Sequence, residues 1–194
     1  MYPPAAFYFD LASPDAYLAA ERVLHVLPGP AEWQPVLARE LGLGLEAGTS
    51  ATTAGDPPMR ERIERRAHAL KLQPLRWPDP FPFDSSLAMR VATYAKSIGR
   101  TVPFAQAAFR QAFAGGHSLE DPDYVLIAAA ACEMHPTAVL RGAELRSVER
   151  QLADATQHAA RTGINDVPSV LVAGRVFLGE RSIDEAAAHM REAS

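Results

Sequence analysis

Cysteine is almost missing from this chain: Cys132 is the only one in 194 residues. A single thiol excludes an internal disulfide and any cysteine-rich metal site. Histidine does not take over, because the six histidines are scattered with no pair at i, i+4, and no metal site is expected. An excess of positive charge is also absent. The formal net charge is −4 and the pI about 5.9, so nothing draws the chain to nucleic acid or to an acidic membrane surface. No apolar run reaches the roughly 18–20 residues needed to cross a bilayer. The opening MYPPAAFYFD carries neither a basic leader nor a long apolar segment, so export is not expected and the simplest location is the cytoplasm.

What is present is an ordinary core-forming composition, 48% hydrophobic and 22% charged, enough for one compact domain or two small interleaved ones. Ala5–Phe9 reads as a buried strand and runs almost directly into an amphipathic helix with Tyr17, Ala20, Leu24 and Leu27 on one face. Ser13-Pro14 marks the helix start: Ser13 can cap with its hydroxyl, and Pro14 fills the first position, where a missing N–H costs nothing. A strand feeding a helix N-terminus leaves free N–H donors and a positive dipole end, a place to hold an anion. Pro28-Gly29-Pro30 should stop this helix. Glu32–Leu37 is a second strand candidate, which Pro35 either weakens or places at a sheet edge. Gly42–Pro58 reads as a mobile loop.

From Pro58 the periodicity is helical for about a hundred residues. MRERIERRAHAL sets Met59, Ile63, Ala67 and Leu70 against a row of arginines, which is read as a solvated face with Glu–Arg pairs rather than an anion grip. The four prolines of QPLRWPDPFPFD forbid regular structure, and Trp77, Phe81 and Phe83 should pin that segment to the core. Further helices are expected over Leu87–Ile98 (ended by Gly99), Pro103–Ala114, Tyr124–Met134, Pro136–Arg141 and Ser147–Arg161. The Tyr124–Met134 segment is apolar on nearly every side and is placed deep in the core. The composition then turns β-rich: Ser169–Val172 and Arg175–Leu178, joined by Ala173-Gly174, form a hairpin signature, and Ser182 should cap a last helix, Ile183–Met190. Two β-containing ends around a helical middle imply one shared sheet. The fold class is α/β, a thioredoxin-like mixed sheet built from residues 1–55 and 162–194, with a large all-helical insertion over residues 56–161.

FYFDLASPDAYLAAERV, followed far downstream by GINDVPSVLVAGRVFLGERSID, resembles the glutathione-dependent 2-hydroxychromene-2-carboxylate isomerases. It is also similar to their relatives, the kappa-class glutathione transferases and the DsbA-type oxidoreductases. PFPFDSSLAMRVATYAKSIGR, AFRQAFAGG and LEDPDYVLIAAAA extend the likeness through the helical middle. The redox members begin the first helix with Cys-Pro-x-Cys; Ser13-Pro14-Asp15-Ala16 has neither sulfur and cannot cycle a disulfide. The resemblance implies a cis Pro168 and a glutathione site, with the Val167 N–H and C=O pairing with the peptide-like backbone of the thiol. It further implies that Ser13 acts as a donor to the glutathione sulfur, favouring the nucleophilic thiolate with help from the helix dipole. That thiolate would serve isomerisation of a small aromatic or conjugated keto acid.

Two departures concern the cofactor rim. Where kappa-like members place an aspartate for the γ-glutamyl ammonium, this chain has Arg181, with Glu180 one position early; either Glu180 takes over the contact or another low-molecular-weight thiol is used. Asp56 stands where an amide is expected in GTSATTAGDPP. Cys132, in an Ala-rich helix, reads as a small buried hydrophobe. Trp33, Trp77 and the phenylalanines read as core, with some available to line an aromatic substrate cleft. A kappa-like transferase, or a noncatalytic thioredoxin-like binding module, uses the same cleft and stays open as an alternative; the family also suggests a homodimer.

Overall fold

The computed structural model describes residues 2–42 and 55–193. Most of the loop expected over Gly42–Pro58 lies outside the described residues. Strand β1 (Ala5–Phe9) leads into helix α1 (Pro14–Val26), and β2 (Ala31–Pro35) lies parallel to β1 with Phe7 opposite Trp33. Near the other end, β3 (Ser169–Val172) pairs antiparallel to β1, with Tyr8 opposite Ser169, and β4 (Arg175–Leu178) closes the hairpin. The strand order is β2-β1-β3-β4, so both chain ends do build one sheet. The hairpin turn needs two positive φ values, supplied by Ala173 at 48° and Gly174 at 84°.

β2 sits at a sheet edge, as Pro35 requires, but stops short of the expected Leu37. Val36 N–H still reaches Phe9 O at 3.1 Å, and the next donor, Leu37 N–H, turns to Thr156 Oγ1 at 3.0 Å. That switch bends the chain into the short helix α2 (Ala38–Leu41), which the sequence reading missed.

Between β2 and β3 lie α3 (Pro57–Ala69), α4 (Ser86–Ser97), α5 (Thr101–Phe113), α6 (Pro122–Ala130), α7 (Pro136–Ala143) and α8 (Arg146–Arg161); α9 (Ser182–Glu192) ends the chain. The period-2 alternation of the strands gives the sheet two buried faces. Phe7, Phe9, Trp33, Val170, Val172 and Phe177 share one hydrophobic cluster with α1, α9 and the helices of the insertion. Tyr8, Val36 and Val167 pack on the opposite side with Ala159 of α8 and Ile164. Phe109 of α5 contacts Phe9 (ring centroids 5.9 Å apart) and Tyr17 (6.1 Å), joining the helices to the sheet. Truncating it to alanine should cost about 3–5 kcal/mol, the usual range for a fully buried aromatic.

The proline-rich segment is irregular and anchored as expected: Trp77 and Phe81 both meet Phe113, at 6.3 and 6.1 Å, and Phe83 is buried. Gly142 lets α7 approach α4 closely, since a Cβ there would lie 2.4 Å from the Tyr94 ring. Three sequence readings are corrected. α6 is not deep in the core: Val125, Ala128 and Ala129 are buried, but Ile127 is 52% exposed, because the helix packs by one face only. It also ends at Ala130 rather than Met134. Ser182 does not cap α9; Arg181 holds the N-cap position without a side-chain bond, and Ser182 Oγ is buried with no hydrogen-bond partner among the described residues.

Candidate functional site

The site begins where β1 ends. Asp10 is 3% exposed, and its two carboxylate oxygens accept from Ala12 N–H and Ala38 N–H, each at 2.9 Å. Ser85, also buried, is a further polar neighbour that favours the carboxylate. Burial outweighs these bonds and pushes the Asp10 carboxyl above the ordinary carboxylate range. The Asp10 backbone carbonyl accepts from Ser13 N–H at 3.1 Å while its side chain holds Ala12 N–H at 2.9 Å, so backbone and carboxylate together fix the turn that presents Ser13. The sequence reading missed Asp10. It is a positioning residue for the serine.

Ser13 has the extended backbone of an N-cap (φ −91°, ψ 115°), and its Oγ accepts from Ala16 N–H at 3.1 Å, with Pro14 in the first turn. A hydroxyl that is already accepting has its proton left to donate. Ser13 is half-buried, at the positive end of a thirteen-residue helix. One turn below, burial pushes the Tyr17 phenol up to about 12, so it stays neutral and cannot act as a base near pH 7.

The Val167–Pro168 peptide is cis, in line with the resemblance. The β1–β3 ladder ends at Tyr8–Ser169, which puts Pro168 and Val167 just past the C-terminal end of β1, on the side where the chain turns to Ser13. Val167 directs its side chain into the second core cluster. Its N–H donates to Asp166 Oδ1 at 2.7 Å, and Ser169 Oγ–H donates to the Asp166 carbonyl at 2.6 Å. Desolvation, together with the nearby charge of Asp15 in the first turn of α1, raises the Asp166 carboxyl pKa, while the Val167 N–H partly offsets both. The residue before Val167 is therefore within electrostatic reach of the start of α1.

The arginine row of α3 divides into two roles. Arg65 pairs with Glu61 at 3.7 Å on the exposed side, as a solvated face would. Arg62 and Arg66 turn inward instead. Arg62 forks onto Asp15 with two bonds of 2.8 Å and lies 3.8 Å from Glu180; Arg66 Nε meets Glu180 at 3.0 Å. Asp15 holds the Arg62 guanidinium pKa up. Burial of Ile63 and Ala67 explains this geometry, since residues flanking the buried stripe lie along the protein surface and are less exposed than Arg65. Asp56 is the N-cap of α3, accepting from Met59 N–H at 2.9 Å.

Of the residues singled out from the sequence, Glu180 is joined through Arg62 to Asp15, two residues after Ser13, and Val167 and Pro168 follow Asp166, whose carboxyl senses the Asp15 charge. Arg181 is not brought in: its side chain is 79% exposed and pairs with Glu185 at 3.4 Å. Cys132 is buried, and burial raises its thiol pKa, so it stays an inert thiol. Two surface clefts of about 240 and 280 Å³, lined by residues such as His117 with Tyr124 and Arg90 with Leu140, lie on other segments. Among the described residues, no group of His, Cys, Asp or Glu is arranged to hold a metal ion, and no helix is long and apolar enough to cross a membrane.

Residues 6–191 match the DsbA-like thioredoxin domain. The chain belongs to that family. No curated protein matches the chain in sequence. Among solved structures, a 2-hydroxychromene-2-carboxylate isomerase superimposes with a TM-score of 0.87 at 14% identity, over 98% of this chain and 95% of that one. A probable DsbA oxidoreductase from Streptomyces coelicolor gives 0.76 at 17% identity, over 99% and 90%. The cytosolic disulfide reductase DsbM from Pseudomonas aeruginosa, solved with GSH, gives 0.65 at 12% identity, over 98% of both chains. At these identities the likeness establishes a shared fold. Within this DsbA-like fold, the present chain carries Ser13 and Ala16 at the two positions where the resemblance noted above puts cysteines in redox members.

Proposed function

We propose that this DsbA-like protein is a glutathione-dependent cis–trans isomerase of the 2-hydroxychromene-2-carboxylate isomerase type, acting on a small aromatic or conjugated keto acid. The observation that carries the reading is at Ser13: a hydroxyl whose oxygen already accepts Ala16 N–H is left to donate, at a helix N-terminus with no sulfur beside it. That is the environment a bound thiolate needs, and it excludes disulfide cycling by this motif.

The residues present fit a thiol tripeptide as follows. The Ser13 hydroxyl would face the sulfur. The Val167 N–H would pair with its backbone, and Glu180 would receive its ammonium. The arginines add little to the thiolate potential, because Arg62 and Arg66 are engaged by Asp15 and Glu180. The stabilisation then comes from the hydroxyl and the α1 dipole. When bound, glutathione would supply a thiolate nucleophile, whose reversible addition to a conjugated carbon would free the former double bond to rotate before the sulfur leaves. Asp10 holds the Ser13 turn rigid throughout, and Tyr17 keeps its proton.

The test is glutathione-dependent isomerisation of a hydroxybenzylidene-pyruvate-type compound. Turnover that requires glutathione is expected, and stable conjugate instead of isomer would point to a transferase. No reaction and no thiol binding would leave a noncatalytic module.

A further inference from the structure

In this structure the acceptor for the Val167 N–H is already in place. Val167 lies beyond the last β1–β3 pair, so its N–H has no partner strand, and the Asp166 carboxylate supplies the missing acceptor at 2.7 Å. A buried backbone donor has to be paired somewhere, and a neighbouring Asp side chain is a common local solution. It is also an intramolecular solution, present at high effective concentration compared with any ligand in solution. The aspartate is restrained through its own carbonyl, which accepts from Ser169 Oγ–H at 2.6 Å, while the like charge of Asp15 acts against its carboxylate.

We propose that Asp166 is the specificity-determining residue of this site: it occupies the Val167 N–H, and a peptide-backbone thiol must displace its carboxylate in order to bind. This rests on the glutathione reading and sharpens it. A ligand carbonyl arriving at Val167 N–H exchanges one hydrogen bond for another and gains little there. Thiols that make no backbone contact at Val167 escape that exchange. The site is thereby biased toward small thiols relative to one in which the N–H is open.

Isothermal titration of glutathione into the wild-type chain, Asp166→Ala and Asp166→Asn tests this. Asp166→Ala frees the N–H and should tighten binding about fivefold, the worth of one hydrogen bond no longer displaced. Asp166→Asn keeps a carboxamide oxygen for the N–H and should stay near the wild type. Equal affinity in all three proteins overturns the inference and leaves the glutathione reading standing. Tightening in both variants alike assigns the effect to charge and also overturns it. No binding by any of the three overturns the glutathione reading, and the inference falls with it.

Discussion

Arg62 and Asp15, 47 residues apart in sequence, are joined by two parallel hydrogen bonds of 2.8 Å that tie α3 to the first turn of α1. Forked charge-assisted pairs are the stronger kind, but both side chains keep solvent contact, 40% and 25% exposed, which limits their worth. Replacing Arg62 by Met should cost about 1 kcal/mol and lower Tm by about 2–4 °C. It should also weaken glutathione binding, because the Asp15 charge then stands uncompensated two residues from Ser13. A variant with wild-type Tm and wild-type affinity would show the pair to be incidental.

Ser13 carries a capping role and a donor role, and two substitutions separate them. Ser13→Ala should fold, lose about 0.5–2 kcal/mol with the cap, and lose most turnover. Ser13→Asp restores a side chain that caps as well as serine but cannot donate once ionised. It should recover stability and not activity. Recovery of turnover in the aspartate variant would contradict the donor role.

Asp10 predicts a pH dependence with a definite sign. Burial raises its folded pKa above the unfolded value of about 3.9, so the folded state holds that proton more tightly than the unfolded chain. This contribution is full below the unfolded value and declines as pH rises through the folded one. Other carboxylates titrate in the same range, so the informative quantity is the Tm of wild type minus that of Asp10→Asn. It should grow as pH falls from 7 toward 4, and a flat difference would place the Asp10 pKa at its ordinary value.

Glu180 is shared between Arg66 and the ammonium it is proposed to bind. Glu180→Gln should weaken glutathione severalfold with little change in Tm, since the carboxylate is exposed. A glutathione analogue lacking the α-amino group should bind both proteins equally. If the analogue is also weakened, Glu180 acts through Arg66 and not through the ligand.

These residues differ in how far the sequence revealed them. β1, β3 and β4 were legible to the residue, because β-rich runs are bounded there by proline, glycine or a capped helix start. Ser13 was legible for the same reason: Ser-Pro after a strand is a local signal. α6 was misread because a segment apolar on every side does not reveal which face is buried, and Ile127 is left outside. The inward turn of Arg62 and Arg66 had one usable signal, their position beside Ile63 and Ala67, but their partners lie in distant segments. Asp10 and Asp166 had none. Their roles depend on which backbone donors the strand register leaves unpaired, and register belongs to the folded sheet.

The central claim is that Ser13 and the α1 N-terminus favour a bound thiolate, and the thiol pKa of glutathione on the protein tests it most directly. Followed by ultraviolet thiolate absorbance, the bound thiol of the wild-type complex should titrate well below the ordinary thiol value of about 8.5 and return toward that value in Ser13→Ala. The same bound pKa in both proteins, at or near that of free glutathione, would contradict the account.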